Sequence, residues 1–171
     1  MTEFQILAGL PEAGPNVENI GWGNYPHEGF VVEFKPQDTG AWVGNFSPGG
    51  NQFNRVVEHP DGVHVIVITG GDGYIVDPDT RMITDRFGGD IQTILPIPEL
   101  KKVVFGNWWR FYSISEKGPI WKTRNVSIDG IHDLKLNGFL LSGFGEDEGN
   151  NLIPFSVNLA NAEVIGGVTW R

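Results

Sequence analysis

Four histidines, His27, His59, His64 and His132, are the side chains best suited to acid–base or metal chemistry. No two stand four residues apart, as a helical zinc site requires, and no HExxH occurs. His27 precedes Glu28 and His132 precedes Asp133. Neighbours on a strand point to opposite faces of a sheet, so neither pair is itself a dyad. No nucleophile, base and orienting group can be tied together along the chain. Cysteine is absent, which removes thiolate catalysis, disulfides and Cys-type zinc sites. The expectation is a protein with no catalytic residue, no metal site and no bound cofactor.

Two glycine-rich stretches invite phosphate or calcium chemistry. They are TGGDGY (69–74) and GFGEDEGNN (143–151). Neither carries the P-loop lysine or the EF-hand ligand ladder. Tight hairpins need residues with positive φ, so glycine is expected there on structural grounds alone. Glu146, Asp147 and Glu148 then read as a solvated acidic tip. WWRF (108–111) holds two adjacent tryptophans. Strand alternation would bury one of Trp108 and Trp109 and expose the other. The exposed one would be an interface anchor, because tryptophan carries binding energy disproportionately.

These residues fall at recurring places in a repeated pattern. Four stretches share one order: an apolar run ending in glycine, a polar turn, a second run, a tight Asp/Asn/Gly turn and a third run. They are NIGWGNYPHEGFVVEFKPQDTGAWVGNF, IVITGGDGYIVDPDTRMITDRF, VVFGNWWRFYSISEKGPIWKTRN and LLSGFGEDEGNNLIPFSVNLANAEVIGG. The landmark glycines, Gly21, Gly70, Gly106 and Gly143, are 49, 36 and 37 residues apart. A period near 40 residues with several short strands per unit marks blade-type repeats. FQILAGL, FNRVVEH, IQTILPIP and IHDLKL supply a fourth strand to each unit. We label the strands of a unit a to d. The blades are then 3–46, 53–87, 90–126 and 130–170. The unequal first step sets the first blade apart. Only VENIGWG and PELKKVV leave room for a helical turn. The fold expectation is all-β: four short antiparallel blades in a closed or open array, within one domain over 1–171. A β-sandwich is the alternative.

Composition bounds the rest. The chain has 171 residues, 40 % of them hydrophobic, enough for a real core. Twelve Lys and Arg against 21 Asp and Glu give a net charge of −9. That opposes a nucleic-acid role, which needs a cationic footprint, and favours a basic partner. The opening MTEFQILAGLPEAG has an early acid and no basic-plus-apolar leader. No apolar run is long enough for a helical membrane span. A cytoplasmic protein with no membrane partner is expected.

KPQDTGAWVG, with Asp38, Thr39, Gly40 and Trp42, resembles the outer-strand turn of quinoprotein-like and other β-propeller blades. DPDTRMI repeats it with Arg81 in the glycine place, and EKGPIW keeps Gly118 and Trp121. The Trp-Asp signature of WD40 blades is absent. The resemblance implies the architecture and no functional residue. In its small size, acidity and lack of cysteine, the chain also resembles immunity proteins of bacterial toxin–immunity systems. That resemblance implies inhibition of a basic toxin, such as a nuclease. In an up-and-down blade the b–c turns and d–a connections share one face. That face would carry Tyr25, Glu28, Asp72, Trp108, Trp109, Glu146, Asp147 and Glu148, the expected partner-binding set. A glycan- or small-ligand-binding module is the alternative, and a His/carboxylate enzyme is a third reading.

Overall fold

The computed structural model describes residues 3–169. Its contacts divide the chain after Asp90 into two compact units. The first holds two four-stranded sheets. One contains β1 (Glu3–Ile6), β2 (Asn16–Ile20), β3 (Phe30–Lys35) and β4 (Trp42–Phe46). The other contains β5 (Arg55–Glu58), β6 (Val65–Thr69), β7 (Asp72–Asp77) and β8 (Met82–Gly88). The second unit repeats the plan. One sheet has β9 (Thr93–Ile97), β10 (Lys102–Gly106), β11 (Phe111–Ser115) and β12 (Gly118–Lys122). The last has β13 (Ile131–Asn137), β14 (Leu140–Glu146), β15 (Leu152–Asn158) and β16 (Glu163–Gly166). A single 3-10 turn, Pro98–Leu100, is the one helical element among the described residues, and it lies in PELKKVV. VENI forms strand β2 instead. The chain is therefore all-β, with four blade-like sheets at the expected places. Residue 170, the expected end of the fourth blade, lies outside the described residues.

Three sheets are plain antiparallel meanders in chain order. The first departs from the expectation that b and c strands are neighbours. Its order is β1-β3-β4-β2, and β2 pairs with β4 in parallel. The reason lies in the loop over residues 21–29, which is too long for a tight hairpin and passes across β4. Buried Asn45 of β4 fixes that loop. Its Oδ1 accepts from Gly29 N at 2.9 Å, and its Nδ2 donates to Asn19 Oδ1 and His27 O, each at 2.7 Å. Trp22 Nε1 donates to Asn45 O at 2.9 Å.

Alternation on the strands builds one core in each unit. The first joins Val32, Phe34, Trp42 and Phe46 to Val65, Val67, Tyr74 and Val76. The second joins Ile97, Val104 and Phe111 to Leu141, Phe155 and Val157. Aromatic rings bridge the sheets: Phe46 on Tyr74 at 5.5 Å and Phe111 on Phe155 at 5.9 Å. Val65, Val67 and Val104 are buried as the pattern predicts. Ile75 is only half-buried, because its neighbours Tyr74 and Val76 face the core. Leu141 is buried while Phe139 and Leu140 are exposed, which fixes the register of β14.

The c–d tips show the propeller-like turn as one repeated conformation. Gly40, Arg81, Gly118 and Ala162 hold equivalent places and all have positive φ: 80°, 63°, 100° and 65°. The polar residues before them cap the turn. Asp77 Oδ1 accepts from Asp79 N at 3.0 Å and Thr80 N at 3.2 Å, and Asn158 Oδ1 accepts from Ala160 N at 3.0 Å. Glycine meets this conformation freely, whereas a residue with a Cβ is strained. Gly40→Val and Gly118→Val should each destabilise by roughly 1 kcal/mol or more. Ala162→Gly should stabilise by about 0.5 kcal/mol, strain relief slightly exceeding the entropy that glycine adds to the unfolded chain. Urea unfolding of the three variants checks both signs.

Candidate functional site

The expected partner-binding residues lie at loop ends that are stitched together within each unit. In the second unit, Asn107 closes the β10–β11 turn. Its N–H donates to Arg110 O at 3.1 Å, and its Oδ1 accepts from Trp109 N and Arg110 N, each at 3.0 Å. Trp108 and Trp109 therefore occupy a turn, not a strand. Both are exposed, at 45 % and 39 %. This corrects the expectation that one of the two would be buried, which assumed strand alternation.

The β12–β13 connector ties this tip to the acidic one. Val126 N donates to Trp109 O at 2.7 Å, and Ile128 N donates to Glu146 O at 2.8 Å. Between them sits fully buried Ser127, whose Oγ accepts from Gly130 N at 2.9 Å and Glu146 N at 3.1 Å. Gly145 packs so close to Val126 O that a side chain there has no room. The Trp108 ring lies over Gly130, and a Cβ on that glycine would be 3.7 Å from Trp108 Cε3. The indole pair and the acidic tip thus share one end of this unit.

The three acids differ in what they offer. Glu146 is half-buried, with Oε2 2.9 Å from His132 Nε2. Asp147 Oδ1 accepts from Gly149 N at 2.8 Å and Asn151 N at 2.9 Å. The Asn151 backbone and side chain hold this carboxyl below the ordinary carboxylate range, and Gly149 N–H adds to them. Glu148 is exposed at the tip, without such commitments among the contacts described. A cleft of about 590 Å³, lined in part by Ile128, Asp147, Glu148 and Thr169, opens beside it.

The first unit repeats the stitch. In the β4–β5 connector, Ser47 N donates to Ile20 O at 2.8 Å at the end of β2. Gly49 N donates to Thr69 O at 3.2 Å and Asn51 N to Gly70 O at 2.9 Å, at the β6–β7 turn. Gly49 and Gly70 approach so closely that neither accommodates a Cβ. TGGDGY is therefore a packed turn. Asp72, the fourth residue of that stretch, is half-buried at the start of β7. Tyr25 stands 83 % exposed on the 21–29 loop. Glu28, on the same loop, uses its carboxylate to accept from Leu10 N at 2.9 Å.

The histidines separate. His27 packs edge-on to Trp22 at 6.0 Å, and Glu28 is engaged elsewhere. His132 meets Glu146 across the sheet instead of its neighbour Asp133. His59 and His64 meet in the β5–β6 turn around Asp61, at a spacing of five residues that helical motifs do not use. Asp61 Oδ2 lies 3.1 Å from His59 Nδ1 and 2.7 Å from His64 Nδ1. Burial pushes the Asp61 carboxyl up, but hydrogen bonds from His64, Val63 and His59 outweigh it and hold it well below the usual carboxylate range.

No family model matches the chain, and no curated protein matches it. Among solved structures, the chain is similar to one in a Saccharomyces cerevisiae assembly of a Dbp5 variant bound to Nup159, a Gle1 variant, IP6 and ADP. The likeness covers 70 % of this chain at 11 % identity with a TM-score of 0.43. The chain spans 34 % of that solved chain's length, and a likeness of this degree assigns no function. No helix among the described residues is long and apolar enough to cross a membrane.

Proposed function

We propose that the chain is a protein-binding module that acts by contact and not by catalysis, most concretely an immunity-type inhibitor of a basic bacterial toxin. The observation that carries the reading is the shared connector in the second unit. It brings two exposed indoles and an acidic hairpin tip to one end of a rigid sheet pair. Flat aromatic surface supplies affinity at low entropic cost, and neighbouring carboxylates supply steering and specificity toward a cationic cleft. The net charge of −9 acts in the same direction. Tyr25, Glu28 and Asp72 offer a second aromatic and acidic end in the first unit. A nuclease toxin fits as partner, because a cleft that binds phosphates is basic.

The experiment changes Glu146, Asp147 and Glu148 together to Gln, Asn and Gln. The Asn retains the turn-closing acceptor at residue 147. Association with a basic nuclease toxin that the wild-type chain binds should slow, and the slowing should shrink as salt rises. Association that is unchanged at low salt refutes the role given to the acidic tip. The cleft beside Glu148, close to carboxylates that can bind hydroxyls, favours a second reading as a glycan- or small-ligand-binding module. Saturable binding on a glycan array, with no toxin binding, selects that reading.

A further inference from the structure

The segment HPDGVH (59–64) folds into a tight turn that points three metal-competent side chains at one place. Backbone bonds close the turn: His59 N donates to His64 O and Gly62 N to His59 O, both at 3.0 Å. Pro60 limits the backbone between the ligands, and Gly62 takes a φ of 73°. Asp61 is oriented by the backbone. Its Oδ1 accepts from Val63 N at 2.9 Å and His64 N at 3.0 Å. Its Oδ2 is left facing both imidazoles, and the three ligating atoms lie within 4.8 Å of one another. His59 is buried, while His64 and Asp61 are partly exposed, so the site has a fixed floor and an open side.

Two contacts meet at one imidazole nitrogen. Asp61 N donates to His59 Nδ1 at 3.3 Å, which requires a lone pair on that nitrogen. The same nitrogen lies 3.1 Å from Asp61 Oδ2, itself an acceptor. For neutral His59, one proton cannot serve both contacts. With the lone pair on Nδ1, two acceptors face each other; with a proton there, the Asp61 N–H loses its partner. A cation on the Nδ1 lone pair turns the facing acceptors into two ligands, and Asp61 N–H then gives up its long 3.3 Å contact.

We propose that His59 Nδ1, Asp61 Oδ2 and His64 Nδ1 form a binding site for a divalent transition metal, with zinc as the best match. Two imidazoles and a carboxylate are a borderline-soft donor set that suits zinc better than calcium or magnesium. Tetrahedral zinc with ligands at about 2.0–2.1 Å holds neighbouring donors about 3.3 Å apart. The separations of 2.7 and 3.1 Å therefore open by a few tenths of an ångström on binding. Neutral His64 moves its proton from Nδ1 to Nε2, so the metal displaces a hydrogen bond and no net proton. Three protein ligands leave a fourth position to water. The spacing i, i+2, i+5 in a strand–turn–strand differs from helical zinc motifs. Its effect is to pin the β5–β6 turn.

The test uses the full chain, stripped with a chelator, and zinc alone, followed by calorimetry. Cobalt(II) then reports coordination geometry through its visible absorption. Wild-type protein should bind one equivalent of zinc, give a tetrahedral cobalt spectrum, and show a rise in Tm that grows with zinc concentration. Asp61→Asn and His64→Gln should each weaken binding at least tenfold and abolish the Tm rise. Asp61→Asn keeps the acceptor for Val63 N and His64 N, so it decides the matter if His64→Gln fails to fold. His132→Gln, which alters a histidine outside this turn, should bind as wild type. The proposal is overturned by the absence of saturable binding at millimolar zinc. It is also overturned by wild-type affinity in Asp61→Asn, or by loss of binding in His132→Gln.

Discussion

Replacing Trp108 or Trp109 with alanine is expected to weaken partner binding by about 2 kcal/mol or more for the anchoring residue, roughly thirtyfold in Kd. The stability of the chain should change little. Both indoles stand at a turn closed by the side chain and backbone of Asn107, and none of the bonds described for that turn uses an indole. Truncation therefore removes contact surface without removing the scaffold. Trp108 also lies against Gly130 and lines a cavity of about 80 Å³ with Asn107 and Phe111. Trp109 is slightly less exposed, at 39 % against 45 %, but lacks that backing among the contacts described, so its ring is the freer to reorient onto a partner. We expect the larger binding loss at Trp109 and the larger stability loss at Trp108. Titration calorimetry and urea unfolding on the same two variants separate these effects. Equal binding by both variants and wild type contradicts the interface.

The largest effect on folding is expected from Trp42→Ala, a loss of about 3–5 kcal/mol. Trp42 is fully buried and stacks on Phe34 with ring centroids 4.5 Å apart. Its Nε1 donates to Pro78 O at 2.8 Å, in the c–d turn of the following sheet. The alanine variant leaves a cavity and an unpaired carbonyl together. Domains are stable by only about 5–15 kcal/mol, so the first unit loses a large share of its margin. Trp121, the counterpart after the Gly118 tip, has a buried indole N–H without a partner among the described residues. The corresponding truncation there forfeits less hydrogen bonding. Urea unfolding followed by tryptophan fluorescence measures both. A loss below 1 kcal/mol for Trp42→Ala contradicts the role of this indole as the tie between the two sheets.

The blade-like plan was legible because short β-branched runs and turn residues recur at a nearly fixed step. The tips at Gly40 and Gly118 were legible for the same reason, and Arg81 and Ala162 keep their conformation without the glycine. The order of the first sheet was not. Nothing in NVENI reveals a parallel edge strand, although the longer step from Gly21 to Gly70 marks the irregularity. The position of Asn45 became meaningful only with the loop that it bonds. The tryptophan pair misled because WWRF reads as strand, while Asn107 starts a turn just before it. Asn directly after a strand-ending Gly, as in Gly106–Asn107, is the sequence signal for such a turn, because its side chain can bond the backbone two residues on. The His59–Asp61–His64 cluster depends on a turn that folds back within six residues, and helical periodicity cannot reveal it.

The central claim, binding to a basic toxin, is tested most directly by growth. Cells of the source organism's kind expressing a candidate basic toxin, such as one found encoded beside the chain's gene, are compared with and without co-expression of the chain. The account predicts that growth is restored by the wild-type chain and not by a folded variant carrying both Trp108→Ala and Trp109→Ala. Equal rescue by that variant, or no rescue by the wild-type chain when both proteins are expressed and folded, contradicts it.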